Sequence, residues 1–121
     1  LLAEAARAAP CECCGILLGA GMRIVAIVPA ANVHPDPRGH FEIDPRTLID
    51  CHRTARGDPD GAHVVGYYHS HPNGLARPSV TDIASASGDG RIWAIVAAGG
   101  VSFWRDGEAG FTPLSYLVNE R

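Results

Sequence analysis

The chain has 121 residues, enough for one domain with one hydrophobic core and too few for two. Hydrophobic residues make up 46% and charged residues 19%, which excludes a disordered chain. The formal charge is 10 − 13 = −3, and with no basic run the composition points away from nucleic acid as a partner.

Residues 1–9 are rich in Ala, Leu, Glu and Arg and read as a helix that Pro10 stops. Because the chain opens at Leu1 inside this helical pattern, some preceding N-terminal residues are expected to be missing. Residues 12–19 are a short apolar run. With Ala20-Gly21 as the turn, residues 22–30 supply its hairpin partner. Residues 31–40, with two prolines and several polar turn formers, read as loop. His40-Phe41-Glu42-Ile43-Asp44 alternates as a short strand. Asp44-Pro45 then combines an N-cap with proline in the first turn, starting a helix that runs to about Arg56. Residues 57–61 break the chain. Residues 62–69 form a strand of β-branched and aromatic residues, and 70–78 a loop. Ser79 is a good N-cap for a helix over 80–87, with Asp82 placed to complete a capping box. Gly88-Asp89-Gly90 ends that helix. Residues 91–98 and 101–106 are strands joined at Gly99-Gly100, and 111–118 is the last strand. The order α-β-β-β-α-β-α-β-β-β predicts an α/β fold with a mixed sheet in a single domain over residues 1–121. Trp93 and Trp104 fall in strands as core candidates, and of Tyr67 and Tyr68 one faces the core.

Cys11, Cys13 and Cys14 crowd together and Cys51 stands apart. Such spacing disfavours disulfides, so reduced thiols and a cytoplasmic protein are expected. Cys11-x-Cys13-Cys14 lacks a second Cys/His pair at finger-like spacing, so buried strand cysteine is the better reading. No apolar run approaches the roughly 18–20 residues that span a membrane, so no membrane partner and no signal peptide are expected. All ten basic residues are arginine. Codon bias in a GC-rich genome accounts for that, although the lack of lysine also leaves no side-chain amine for an isopeptide bond.

Residues 69–82 carry the chemistry: His-Ser-His-Pro-Asn-Gly-Leu-Ala-Arg-Pro-Ser-Val-Thr-Asp. His69 and His71 are two apart, so on extended chain both rings project to one side. Asp82 follows eleven residues later, in the first turn of the predicted helix, where the carboxylate is favoured over the acid. Two histidines and a carboxylate can bind one divalent metal and leave a fourth position open, as in catalytic zinc sites. Ser79 adds a hydroxyl beside them. A lone histidine at a strand end is usually a surface or capping residue, and Ser79 is a helix cap in any reading; the full set together is what argues for a metal. His34, His40, His52 and His63 have no partners at ligand spacing and read as surface residues.

This residue set resembles the JAMM (MPN-plus) metalloproteases: a distant Glu, then His-x-His-Pro, then Ser-x-x-Asp. The upstream Glu before a Gly reads here as Glu12-Cys13-Cys14-Gly15, and Phe41-Glu42-Ile43-Asp44-Pro45 is similar to the segment before the second helix of prokaryotic members. The resemblance implies a cytidine-deaminase-like mixed β-sheet flanked by helices. It implies zinc on His69, His71 and Asp82 with water as fourth ligand, Glu12 as general base and Ser79 as oxyanion stabiliser. The chemistry agrees. Zinc makes hydroxide available near neutral pH, and a carboxylate outside the ligand set must move its proton. Glu12 leads an apolar strand, an odd place for a solvated carboxylate. The resemblance further implies cleavage after the C-terminal Gly-Gly of a ubiquitin-like or sulfur-carrier protein. Only six residues separate Pro72 from Ser79, which suits a simple tail-cleaving role. A metal-free MPN scaffold would lack these ligands. A RadC-type protein shares a similar His-rich loop, but the DNA-binding region expected before it is not seen. A nucleoside deaminase needs a Pro-Cys-x-x-Cys that is missing, and phage tail proteins of this type carry a second peptidase domain.

Overall fold

The computed structural model describes residues 1–58, 60–97 and 99–116. Two apolar runs become the inner strands β1 (Cys14–Ala20) and β4 (Ile92–Ala97), and almost every side chain of both is buried. Such runs suit strands covered on both faces. Between them lies β3 (His63–Ser70). The outer strands are β2 (Arg23–Ala30), β5 (Gly100–Gly107) and β6 (Gly110–Leu114). The sheet order is β2-β1-β3-β4-β5-β6. Among the described residues β3 and β4 pair in parallel and the other pairs are antiparallel, so the sheet is mixed as expected.

Helix α1 (Leu2–Ala8) lies against the sheet, with Leu1, Ala5 and Ala8 packed on the buried cluster of Cys13, Leu17, Tyr68, Ile92 and Ala94. Glu4 of α1 accepts a 2.7 Å hydrogen bond from the buried Tyr68 hydroxyl. Helix α2 (Pro45–Gly57) starts with Asp44 accepting from Arg46 N, and packs beside β3. Helix α3 (Val80–Ser85) supplies the crossover from β3 to β4.

Four expectations shift, two of them because a side chain takes over backbone hydrogen bonds. The strand expected over 40–44 reduces to one bridge between Asn32 and Ile43. The Asn32 side chain takes the hydrogen bonds a partner strand would otherwise make: Nδ2 donates to His40 O and Oδ1 accepts from Glu42 N. Helix α3 stops at Ser85, not 87. The buried Asp106 carboxylate accepts from Ser87 N and Gly88 N, drawing those amides out of the helical ladder. The last strand ends at Leu114. The strand readings at 98, 117 and 118, and position 59 of the break at 57–61, lie outside the described residues. The β1–β2 turn falls one residue later than expected, at Gly21-Met22, with Gly21 at φ 56. All four cysteines are free, with Cys13 and Cys14 buried. Tyr68 and Trp93 are core, while Tyr67 and Trp104 are half-buried.

Gly15 sits opposite Tyr68 in the β1–β3 ladder, and a Cβ there would strike the buried Tyr68 ring. Overpacking of this kind costs roughly 1–3 kcal/mol. Gly15→Ala is therefore expected to lower stability by about that amount in chemical denaturation. An unchanged midpoint would show that the ring can move aside.

Candidate metal centre

His69 is the penultimate residue of β3, and His71 follows one residue past its end. The extended backbone turns both rings to one side, with their Nε2 atoms 2.9 Å apart. His71 N donates to Val96 O at 2.8 Å, which ties the exit of β3 to β4. His71 Nδ1 lies 2.7 Å from Leu75 O. A carbonyl only accepts, so Nδ1 carries the proton and the neutral ring presents an Nε2 lone pair. His69 is fully buried, and its Nδ1 has no hydrogen-bond partner. Packing orients it instead: Phe41 stacks on it at 4.2 Å and Trp93 meets it edge-on at 5.6 Å.

Asp82 reaches the same point from α3. Ser79 Oγ accepts from Asp82 N at 3.0 Å, and Ser79 N donates to Asp82 Oδ2 at 2.9 Å, completing the expected capping box. The same Oδ2 lies 3.0 Å from Nε2 of His69 and 3.0 Å from Nε2 of His71. Burial works to raise the Asp82 carboxyl, but the histidine hydrogen bonds and the Ser79 amide together hold it below the usual carboxylate range. Burial pushes His69 down towards the neutral imidazole. On His71 burial acts in the same sense, yet Asp82, Leu75 O and Glu12 outweigh it and raise its pKa.

Two imidazole nitrogens and one carboxylate oxygen thus form a triangle with edges of 2.9–3.0 Å. A single proton satisfies one edge well; a cation satisfies all three. Donor atoms of a tetrahedral site with bonds of about 2.0–2.1 Å stand about 3.3 Å apart, close to this spacing. The donor set therefore fits a divalent metal, with the proton on His71 as its competitor.

Glu12 enters from the other end of the chain, two residues before β1. Its main chain is fastened on both sides: its N donates to Pro37 O at 2.7 Å and its O accepts from Asn32 Nδ2 at 3.0 Å. The residue is 7% exposed, and its buried Oε1 has no hydrogen-bond partner. A Glu12 oxygen and one nitrogen of each histidine lie within 4.8 Å of one another. Burial raises the Glu12 pKa to about 7, with His71 lowering it and Asp82 raising it. A carboxyl with these properties can exchange protons near neutral pH.

Glu12, His71 and Ser79 line a cleft of about 290 Å³, together with Arg38-Gly39, Pro72-Asn73 and Val80-Thr81. A second cavity of about 300 Å³, lined by residues such as His52, Arg56 and Arg91, holds none of the residues singled out for chemistry. The five residues named from sequence, Glu12, His69, His71, Ser79 and Asp82, thus meet in one place. Sequence reasoning missed their supports. Ser70, between the histidines, points away from them and accepts from Cys13 N at 2.8 Å, joining β3 to β1 next to Glu12. Asn32 gave no signal beyond lying in a loop, and Phe41 was legible only as part of a short strand and of a family-like segment, not as packing on His69. His34 and His40, read as surface residues, are half-buried and stack at 4.5 Å.

A mixed sheet that brings a buried Glu to a His-x-His and Ser-x-x-Asp cluster defines a JAMM-type domain. The chain belongs to the family described as prokaryotic homologs of the JAB domain (Prok-JAB), which matches residues 1–107. It is 36% identical over 93 residues to the desampylase of Haloferax volcanii, covering 75% of this chain and 66% of that protein. It is 40% identical over 81 residues to a probable TtuB-protein conjugate cleaving protease of Thermus thermophilus, covering 66% and 52%. The chain thus spans between about half and two thirds of these relatives. A solution structure of a Desulfitobacterium hafniense protein superposes with a TM-score of 0.83 at 26% identity, covering 99% of this chain and 86% of that one. The expected fold class and family are therefore those found. No described helix is long and apolar enough to cross a membrane.

Two outcomes are expected. Protein purified without chelator should carry about one divalent ion per chain by elemental analysis, and His69→Ala, His71→Ala and Asp82→Ala should each lose it. Full metal in all three variants would place the ion elsewhere. In metal-free protein the Glu12 carboxyl is raised from 4.5 to about 7 in the folded state. The unfolded chain ionises first, so stability is lost as pH rises from about 4.5 through about 7. Compared with Glu12→Gln, the native chain should lose on the order of 2 kcal/mol between pH 5 and 8. Parallel curves would show that the carboxyl is not held neutral.

Proposed function

We propose that this protein is a zinc-dependent peptidase or isopeptidase that hydrolyses the bond after the C-terminal Gly-Gly of a ubiquitin-like or sulfur-carrier protein. The observation that carries the reading is Glu12: a buried residue whose carboxylate Oε1 has no hydrogen-bond partner, beside three convergent candidate ligand atoms. In a pure binding scaffold such a group would only cost stability. At a hydrolytic site it is a base poised near neutral pH.

His69, His71 and Asp82 would hold the zinc, which when bound lowers the pKa of water and polarises the scissile carbonyl. The chain's own groups do the rest. Glu12 accepts the proton of the attacking water and passes it to the leaving amine. Ser79 Oγ already accepts from Asp82 N, so its hydroxyl proton is available to the oxygen of the tetrahedral intermediate. Asp82 holds Ser79 N and both histidines, so ligand and oxyanion donor keep a fixed separation.

The substrate reading draws on the family and on the cleft. One relative is named for cleaving TtuB–protein conjugates. The cleft lies between Arg38-Gly39 and Pro72-Asn73, and its volume of about 290 Å³ is at the lower end for ligand sites. A tail with little side-chain bulk fits it best. Linear and isopeptide bonds are both compatible with the site.

The test is mass spectrometry of a ubiquitin-fold carrier extended by a few residues past Gly-Gly. The extension should disappear with the native enzyme. Chelator should abolish the reaction. Glu12→Gln should keep zinc and slow it by roughly 10²–10⁴-fold. Ser79→Ala should keep zinc and lower kcat by about 10²–10³-fold. Equal cutting of casein, or indifference to the penultimate glycine, would leave a general peptidase instead.

A further inference from the structure

The cleft contains one charged group that this chemistry does not use. Arg38 lines it beside Glu12, His71 and Ser79, yet among the described residues it has no hydrogen bond or ion pair. The neighbouring acids are engaged elsewhere. Asp82 is held by His69, His71 and Ser79 N. Asp36, two residues from Arg38, pairs with His40 at 3.4 Å. Burial, His71 and Asp82 shift the Glu12 carboxyl.

The guanidinium is exposed, but its backbone is pinned. The preceding residue, Pro37, accepts the Glu12 amide hydrogen at 2.7 Å. Asn32 braces the same loop with four hydrogen bonds: Nδ2 to Glu12 O and His40 O, Oδ1 from His34 N and Glu42 N. Phe41 clamps its far end against His69. Arg38 is thus carried on a fixed support at the cleft that Glu12 also lines, with its five N–H donors unclaimed. A divalent ion with Asp82 and an ionised Glu12 sums to zero charge, so Arg38 leaves the cleft with one positive charge in excess.

We infer that Arg38 is a specificity residue that takes a carboxylate of the substrate close to the scissile bond. The inference deepens the proposed function and rests on it. Guanidinium matches carboxylate with two parallel hydrogen bonds. Two sources offer that chemistry: the α-carboxylate of a single residue joined to the terminal glycine, or an acidic side chain next to the cut. Leaving-group amines without a nearby carboxylate would bind less tightly.

Binding to the zinc-loaded Glu12→Gln protein, which keeps the site without turning the probe over, tests this directly. The probes are fluorescent peptides ending in Gly-Gly-Ala as the free acid, Gly-Gly-Ala as the amide, and Gly-Gly-Asp as the amide. At least one carboxylate-bearing peptide should bind about tenfold tighter than the Ala amide, the scale of one partly exposed charged hydrogen bond. Tight binding of the free acid assigns the α-carboxylate; tight binding of the Asp amide assigns the side chain. Added Arg38→Gln should bring the ratio near one without changing zinc content, and Arg38→Lys should keep part of it. Rising salt should narrow it. Saturable binding with equal affinities, or a preference that survives Arg38→Gln, overturns the assignment and leaves the tail reading intact. No saturable binding by any peptide overturns the tail reading, and the inference with it.

Discussion

One carboxylate oxygen organises the site. Oδ2 of Asp82 accepts the Ser79 amide hydrogen and stands 3.0 Å from both histidine Nε2 atoms. Helix cap and histidine partner are therefore one group, and the start of α3 cannot move without moving the His69–His71–Asp82 cluster. The helix has six residues, too short to be stable by itself. Its two large aliphatics, Val80 and Ile83, are 85% and 61% exposed, so packing does not hold it either. The capping box at its start and the Asp106 carboxylate just past its end fix its length. Its structural purpose is to deliver Asp82 and the Ser79 hydroxyl.

The opposite half of the site is built on a different plan. Glu12 precedes β1, and its main chain, not its side chain, is secured: Pro37 O on one side, Asn32 on the other. Its carboxylate Oε1 stays without a hydrogen-bond partner in a buried setting. An uncompensated buried acid opposes folding, and its pKa near 7 is the measure of that cost. Proteins that keep such a group at a cleft generally use it for proton transfer. The loop that secures Glu12 also packs Phe41 on His69 and brings Arg38 to the cleft, so Glu12, His69 and the cleft rim share one support.

Much of this was legible in the residue order because it depends on short-range rules. Alternation along a strand put His69 and His71 on one side whatever their neighbours. Ser79 and Asp82 announced a capping box, and the box is present. Apolar runs marked β1 and β4, and Asp44-Pro45 marked the start of α2. Where short-range reading failed, a side chain had taken over a backbone's hydrogen bonds. Asn32 dissolved the strand expected over 40–44, and Asp106 ended α3 early. Neither residue stands out in sequence, because an asparagine in a loop or an aspartate at a strand end usually faces water.

The sequence by itself determined the candidate donor types, their spacing, the order of the elements and, through the resemblance of its motifs, the candidacy of Glu12. Those follow from local period, caps and composition. Only the tertiary structure decided how a glutamate 57 residues before His69 comes to stand beside it. The antiparallel register of β1 and β3, with Cys14 opposite His69, makes that juxtaposition, and the Ser70 hydroxyl under Cys13 N secures it. It also decided that Phe41, Asn32 and Arg38 belong to the site. Register and loop placement depend on which buried surfaces fit together across the whole sheet, and that information is not carried by any short stretch of chain.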